Sequence, residues 1–547
     1  MAFLTLSACS PGSSTVRSDA STRFDSSGKP PAVVSVLTQH NDNARTGANT
    51  AETCLSPSTV SSLTQRAQLH LDGQVYAQPL VLAGSPSLLI VASTANEIAA
   101  FDIGTLSTTP VWQLGPDTLG TPGNVIRGVV GPLGILSTPA IDPATQHLYA
   151  VARSCASATT IDACPWTLHV VDAPSGKHLD SVVIAASFHD SKGGLHAFDP
   201  DVQWNRPGLL VQNGQVVVGF EVGQNANQPE NTQPYHGWAM SYDAANIHAA
   251  PATFVTMPDG YGAGIWQGGG GPAGDGTAVY LNTANSITMP TLPGPSSFAA
   301  TPSGHENSIV RLDYADGGVS ATSYFDNRPY HSDGNVFQYT NYYDEEISSS
   351  GLALIPGSND LVAGSKPGIM YLVDRTTMQQ TQTPISPFTA TALPPGQTLF
   401  VSGSSSPAVV GTPVVWSRAT DSVVFVWPYS DHLTSLQYQP GAHTLGVLAQ
   451  SADASSAGGM LSLSVNGTQA DSAVVWANVA IHGGNVGVAA EIRAYDPTAL
   501  TVIWRAPLPG YAKWVCPTVS GGRVYVPTWT PATGSEVYVF TTPSCGG

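Results

Sequence analysis

The stretch VYAQPLVLAGSPSLLIVASTANEIAAFD, residues 75–102, decides the fold: it holds a proline-bearing apolar segment, two β-type runs and a closing Asp102. Similar units recur along the chain, and subtraction of residue numbers spaces their closing aspartates by 70, 71, 70, 61 and 122 residues. These aspartates are Asp102, Asp172, Asp243, Asp313, Asp374 and Asp496. The last interval is two units long, so a degenerate unit precedes Asp496. Such a repeat indicates a propeller or another array.

The first unit predicts strands over 75–81, 88–92, 97–101 and 111–114, which is a four-stranded antiparallel blade. Eight units can be counted, and the last runs out of chain before its fourth strand. The early run 67–71 is placed to supply that strand and so to protect an open sheet edge. The sequence therefore predicts an all-β, eight-bladed β-propeller closed by an N-terminal strand. A solenoid or tandem β-sandwiches are the alternatives.

Composition excludes several classes of function. The net charge is −18 and only 10% of the residues are charged, which argues against binding to nucleic acid phosphates. The sequence contains no run of 18 apolar residues, so it predicts no membrane-spanning helix. Gly269, Gly271 and Gly274 satisfy a G-x-G-x-x-G spacing, but no helix follows to hold a pyrophosphate.

The N-terminal segment Leu6-Ser7-Ala8-Cys9 matches a bacterial lipobox, in which Cys9 becomes lipidated. We therefore expect residues 1–9 to be a truncated lipoprotein signal, 10–33 a flexible tether and 34–547 the propeller. A chance match is the alternative. The expected location is the bacterial periplasm or outer membrane, with membrane contact only through the lipid, and an extracellular location is the other possibility.

Five further cysteines suggest an oxidising compartment. Cys155 and Cys164 lie in one loop and are expected to form a disulfide. Cys54 can staple the closing blade through either Cys516 or Cys545, and the sequence leaves that choice open.

The segment Ser365-Lys366-Pro367-Gly368-Ile369-Met370-Tyr371-Leu372-Val373-Asp374-Arg375 resembles a segment of the quinoprotein alcohol dehydrogenases and their non-catalytic relatives. The resemblance spans nearly the whole chain after the tether. In these enzymes the lysine points at the carbonyls of pyrroloquinoline quinone (PQQ), so the resemblance implies a catalytic and cofactor-binding role for Lys366. Alternatively, Lys366 caps a turn or lines a wet channel.

Two further matches imply ligands for PQQ and Ca²⁺. Asn285 follows a strand similar to the one whose asparagine binds the catalytic calcium, and an ordinary turn residue is the alternative. His236 begins a segment that looks like the family's Arg-Gly-x-x-x-Ala-Tyr-Asp, with histidine in place of arginine. Glu230 and Glu221 are the acids available to complete the calcium site, although neither stands at the family's offset.

The chain also departs from the family. A glycine run, 268–271, stands where the dehydrogenases have the tryptophan that floors the quinone, and Trp266 just upstream is either a replacement or blade packing. His305 and Glu306 stand where the family has its catalytic aspartate, and either could accept a proton. The vicinal disulfide and the haem-attachment motif have no counterpart.

Two polar segments complete the set of candidates. Asp344-Glu345-Glu346 resembles the acid-rich stretch before the family's lysine segment and could hold calcium or a cationic ligand, with a solvated loop as the alternative. His40 to Gly47 looks metal-like in its spacing, but we interpret it as structural, with Arg45 satisfying strand-end carbonyls.

Two functions remain. The first is a cell-envelope propeller that binds a small molecule or an envelope protein without redox chemistry. The second is a periplasmic dehydrogenase that depends on PQQ and calcium and oxidises an alcohol or sugar. The fold alone does not distinguish a binding protein from an enzyme. The missing floor tryptophan, catalytic aspartate and vicinal cysteines favour the binding function.

Overall fold

The repeats fold into eight antiparallel blades, as the sequence predicted. The computed structural model describes residues 31–124, 130–160, 163–222, 235–285, 304–315, 318–326, 346–388, 407–455, 457–481 and 483–545. Among these residues the only α-helix is Pro116–Leu119, so the all-β prediction is confirmed. No helix in these ranges has the length and apolarity that a membrane crossing requires.

The strands of blades 1 to 4, in chain order, are Leu80–Leu82, Leu88–Ser93, Glu97–Asp102 and Trp112–Leu114; Ala140–Ile141, His147–Arg153, Trp166–Asp172 and Lys177–Val183; Leu210–Gln212, Gln215–Val222, Trp238–Asp243 and Ala252–Val255; and Ala273–Gly274, Ala278–Asn282, Ser308–Ala315 and Gly318–Asp326. Those of blades 5 to 8 are Leu352–Leu354, Asp360–Ala363, Tyr371–Asp374 and Gln379–Gln380; Val414–Ser417, Ser422–Val426, Asp431–Gln439 and Thr444–Ser455; Gly459–Ser464, Val474–Ala480, Ala490–Tyr495 and Val502–Leu508; and Thr518–Ser520, Arg523–Thr530 and Gly534–Thr541 with Thr64–Leu71. Three short additions are Gln203–Trp204 on blade 3, Ala48–Asn49 on blade 7, and a hairpin of Ser187–His189 and Leu195–Ala197.

The first strand of each blade lines a central channel, because the first strands of neighbouring blades contact one another in series. The second strands lie between neighbouring blades and are buried on both faces. Leu88–Ser93, for example, is buried at all six positions, which is why it reads as a continuous apolar run. The outermost strand Lys177–Val183 is only partly covered. The apolar cores therefore lie between the blades.

The N-terminal strand closes the ring. Thr64–Leu71 pairs antiparallel with Gly534–Thr541, and Leu69 lies opposite Val537. Every backbone group on that edge of blade 8 thereby gains a partner, which removes an edge open to aggregation. The predicted closure by residues 67–71 is confirmed.

Residues 34–52, which we call the belt, cross the first strands of all eight blades in turn. From blade 1 to blade 8 the paired residues are Val36 with Val81, Leu37 with Ile141, Asn43 with Val211, Asn43 with Gly274, Ala44 with Leu354, Thr46 with Val415, Gly47 with Leu463, and Asn49 with Val519. The partners lie within the first strands rather than in the loops before them. The belt therefore crosses one end of the channel, which we call the belt end, and the other end is the mouth.

Arg45 fixes the belt at the channel axis. The side chain is fully buried, and its guanidinium donates to Thr38 Oγ1 and to the carbonyls of Gln39, Leu209 and Pro272 at 2.6 to 3.0 Å. Leu209 and Pro272 directly precede first strands, so the interpretation that Arg45 satisfies carbonyls at strand ends is confirmed. Burial lowers the pKa of Arg45 to about 9, although Asp42 opposes the shift.

Two disulfides are present in the described residues. Cys155 and Cys164 form one, as the sequence predicted, and Cys54 is joined to Cys545, which settles the open choice. Cys516 is a buried free thiol. The second bridge links residues 491 positions apart and ties the chain after the belt to the C-terminal end of blade 8.

Candidate functional site

Three of the residues suggested by the sequence, Lys366, Glu221 and Trp266, lie at the mouth. Lys366 follows the second strand of blade 5, and Glu221 stands near the end of the second strand of blade 3. Because second strands run from the belt end toward the mouth, both side chains are carried to the mouth. Trp266 reaches the same end, since it precedes the first strand of blade 4.

Lys366 forms a buried ion pair at the mouth. Its Nζ lies 2.8 Å from Glu346 Oε1, and the two side chains are 7% and 9% exposed. The same Nζ lies 5.2 Å from the ring centre of Trp266, within the range of a cation–π interaction. Glu346 is the one member of the predicted acidic cluster within the described residues. Asp344 and Glu345 lie outside them.

A second lysine and tryptophan, which the sequence analysis missed, stand beside the first pair. Lys513 Nζ lies 4.2 Å from the ring centre of Trp514, and Trp514 meets Trp266 edge to face at 4.9 Å between ring centres. Trp514 Nε1 donates to Tyr429 Oη at 2.8 Å. The only sequence signal was their place just before the first strand of blade 8.

The backbone of Trp514 is strained. Its φ is +62°, in the left-handed region, which a bulky residue adopts at a cost of about 1–3 kcal/mol. The surrounding structure must hold this conformation, and strain of this kind is concentrated at binding and catalytic sites. Lys513 is partly buried, and burial together with the repulsion of Arg206 lowers its pKa.

Below these residues lie a buried carboxyl group and a buried guanidinium. Burial raises the pKa of Glu221 well above its ordinary value, and the charge of Glu346 adds to the shift, while Arg206 and Lys366 oppose it. Arg206 Nη1 donates to the carbonyls of Tyr76 and Leu136 at 3.4 and 3.3 Å. The mouth thus contains three cationic groups and two acids, of which Glu221 favours its neutral form.

The glycine run before blade 4 makes room for Arg206. An ideal Cβ on Gly269, whose φ is +83°, would stand 2.5 Å from Arg206 Nη2, and one on Gly270 would meet Thr412 Oγ1 at 2.5 Å. A side chain at either position would displace its neighbours. The tryptophan floor expected from the family is therefore absent from residues 268–271, and Trp266 contributes to the wall of the mouth instead.

Asn285 is engaged with protein. Its Oδ1 accepts from Asn307 Nδ2 at 2.6 Å, and Asn307 Oδ1 accepts from the backbone of Ile347, next to Glu346. Among the described residues no group of three or more His, Cys, Asp or Glu is placed to hold a metal ion. Calcium takes six to eight oxygens, so the described residues do not fit a calcium site. Glu230 and Cys9 lie outside the described residues.

The structure places the remaining candidates elsewhere. His236 belongs to an aromatic cluster with Phe188 and Tyr261, and its Nδ1 donates to Met257 O at 3.0 Å. Burial lowers the pKa of His236 to about 4, which favours the neutral ring.

His305 and Glu306 follow in the chain between the second and third strands of blade 4. The His305 ring contacts the rings of Phe254 and Tyr324, and Glu306 is 2% exposed. Of the sequence-predicted set, Lys366, Trp266 and Glu221 come together at the mouth.

The fold and the mouth together define an eight-bladed propeller with a cationic, tryptophan-walled channel opening. Its fold is that of the quinoprotein alcohol dehydrogenase-like propellers. The quinohemoprotein alcohol dehydrogenases of Comamonas testosteroni (TM-score 0.58) and Pseudomonas putida HK5 (0.57) are both 13% identical, and each match covers 93% of this chain and 80% of the other. A europium-containing methanol dehydrogenase has a TM-score of 0.58 at 13% identity, with 94% and 98% covered. No protein-family model and no curated protein matches the sequence.

Proposed function

We propose that the protein binds a small, flat, anionic ligand at the mouth of the propeller. The observation that carries the proposal is Lys513, whose partly buried ammonium faces the Trp514 ring at 4.2 Å and has no ion pair among the described residues. A buried cation without a counterion is costly, and a ligand carboxylate would remove that cost. The rings of Trp266 and Trp514 offer apolar faces to the rest of the ligand.

PQQ has the right chemistry for these residues, because it is planar, aromatic and anionic. Lys366 and Lys513 would hold its carboxylates or carbonyls, and the tryptophans would contact its ring. When bound in an enzyme, PQQ accepts a hydride from the alcohol that is being oxidised. The described residues supply cations and aromatic walls for it, which supports ligand binding as the main function.

A PQQ- and calcium-dependent dehydrogenase that oxidises an alcohol or sugar is the second candidate. The observation in its favour concerns Lys366, which the family resemblance named, and Glu221, an available acid without a matching offset. Both are at the same end of the channel, and the charge of Lys366 opposes the rise in the pKa of Glu221. In that function Glu221 would be a calcium ligand, and Glu306 or His305 would be the proton acceptor.

We also propose that the protein works in the bacterial cell envelope, anchored by lipid on Cys9. Two disulfides support an oxidising compartment, since such bonds are rare where thiols are kept reduced. An envelope protein as the partner, in place of a small molecule, is the other form of the binding function.

The test is a calorimetric titration of the full chain with PQQ, once in EDTA and once with calcium. We expect saturable binding in EDTA, weakened at least tenfold in Lys513→Ala and unchanged in Lys177→Ala, an exposed lysine on the outer strand of blade 2. Binding only with calcium, followed by dye-linked oxidation of an alcohol, would favour the dehydrogenase. No heat at about 1 mM PQQ would reject this ligand.

A further inference from the structure

A second polar cavity lies at the belt end, far along the fold from the mouth. Turns of blades 5 and 6 border an open groove of about 470 Å³, lined by Gly357, Ser358, Asn359, Arg375, Pro440 and His443. The turns join first to second and third to fourth strands, and antiparallel pairing puts both kinds of turn at the belt end. This cavity, which we call the rim pocket, shares no residue with the mouth.

A buried carboxylate stands behind one wall of the rim pocket. Asp360 is fully buried, and its Oδ2 accepts from Tyr438 Oη at 2.7 Å and from His443 Nδ1 at 2.8 Å. Its Oδ1 has no hydrogen-bond partner among the described residues. A carboxylate only accepts, so His443 Nδ1 must be the donor. The half-exposed His443 ring therefore keeps Nε2 for the pocket.

The lining also contains the guanidinium of Arg375, which three hydrogen bonds hold in place. Arg375 Nη1 lies 2.8 Å from Asp275 Oδ2, and Nε donates to the carbonyl of Asn359 at 3.2 Å. Nη2 donates to the carbonyl of Ser358. A guanidinium has five donors, so two N–H groups remain beyond these three bonds.

The lining of the rim pocket is thus cationic in a chain that is strongly acidic. Two of its six residues carry or can carry a positive charge and none is acidic, whereas acids outnumber Lys and Arg by 37 to 19 in the whole chain. The counterions Asp360 and Asp275 lie behind the walls. An oxyanion in the rim pocket would meet the N–H groups of Arg375 and the ring of His443, whose Nδ1 is already bonded to Asp360.

We propose that the rim pocket is a binding site for small ligands that carry an oxyanion, either a carboxylate, a phosphate or a sulfate. Arg375 supplies planar paired donors, and His443 supplies one more from Nε2 when both ring nitrogens carry a proton. Asp360 and Tyr438 orient the histidine from behind. The site is independent of ligand binding at the mouth.

The experiment is a calorimetric titration of the full chain with sodium phosphate, sulfate and acetate at constant ionic strength. The protein carries Lys513→Ala, so the unpaired cation of the mouth does not contribute. We expect at least one of the three anions to bind with a Kd of about 1 mM or tighter. His443→Gln should weaken that binding at least tenfold, and Arg375→Lys, which keeps the charge but loses the fork, should weaken it less.

The matched control is His248→Gln. His248 also pairs with an aspartate, Asp180 at 3.0 Å, on a turn at the same end of the propeller, but it does not line the rim pocket. This control should bind the anion as the unmodified site does. Absence of saturable binding to all three anions, or equal weakening by His443→Gln and His248→Gln, would overturn the proposal.

Discussion

The two ends of the channel each contain a deeply buried arginine, and the two are satisfied very differently. Arg45 at the belt end donates four hydrogen bonds of 2.6 to 3.0 Å. Arg206 at the mouth donates two, at 3.3 and 3.4 Å, and its Nη2 has no partner among the described residues. The arginine at the belt end thus has a structural role. The arginine at the mouth keeps a donor that is not hydrogen-bonded within the described residues, as a binding site requires.

We expect the largest difference between the two ends when each arginine is replaced and the free energy of unfolding is compared. Arg45→Met leaves the carbonyls of Gln39, Leu209 and Pro272 buried without their donor, so we expect a loss of about 3–5 kcal/mol in the free energy of unfolding. Arg206→Met loses two long hydrogen bonds and the contact of the guanidinium with the Tyr76 ring, but it also removes a desolvated charge, and should cost less than about 1.5 kcal/mol. Urea denaturation of both variants measures the difference. Equal losses would show that the ends are not specialised.

The two disulfides provide the next test of the belt end. We expect Cys54→Ser with Cys545→Ser to destabilise the protein by about 2–4 kcal/mol, because this bridge closes a loop of nearly the whole chain. Cys155→Ser with Cys164→Ser, which opens a separation of nine residues, should cost less. Thermal unfolding under non-reducing conditions compares them, and the reverse order would contradict the entropic argument.

At the mouth we expect Lys513→Ala to leave stability unchanged or slightly raised while affinity for an anionic ligand falls at least tenfold. The reason is that the ammonium is desolvated without an ion pair among the described residues. Paired measurements of unfolding and of ligand binding separate the two effects. A clear loss of stability would assign Lys513 to structure.

The smallest expected effect concerns pH. The raised pKa of Glu221 means that the folded protein holds a proton that the unfolded chain releases above its ordinary pKa near 4.5, so this group's contribution to stability falls as the pH rises. Glu221→Gln should therefore unfold at a higher urea concentration than the parent at pH 8, with a smaller gap near pH 4.5. A gap that widens toward acid would contradict the sign. Glu346, Lys366 and Arg206 are the charged groups around it.

The sequence predicted the blades well because their signal is local. Each second strand is a short apolar run bounded by turn residues, and the missing last strand pointed directly to 67–71. The belt was harder to predict from the sequence. Only 40–47 stood out, because its neighbours make backbone hydrogen bonds that any residue type can make.

The mouth was predicted in part. Lys366 lies in a recognisable segment, whereas the roles of Lys513 and Arg206 depend on contacts with residues of other blades. Glu221 was named without a matching offset, and its partners Glu346 and Lys366 come from another blade. Charge coupling across blades depends on burial, which the local sequence does not encode.

The belt also has a consequence for how the protein is made. Residues 34–52 leave the ribosome well before the last blade, yet their partners extend to Val519 of that blade. Thr64–Leu71 likewise waits for Gly534–Thr541. Pairings of such sequence separation form slowly, and open intermediates expose unpaired strand edges. Blade 8 must therefore be synthesised before the belt and Thr64–Leu71 can complete their pairing, and a ribosome-stalled chain that lacks blade 8 should remain sensitive to protease at residues 34–71.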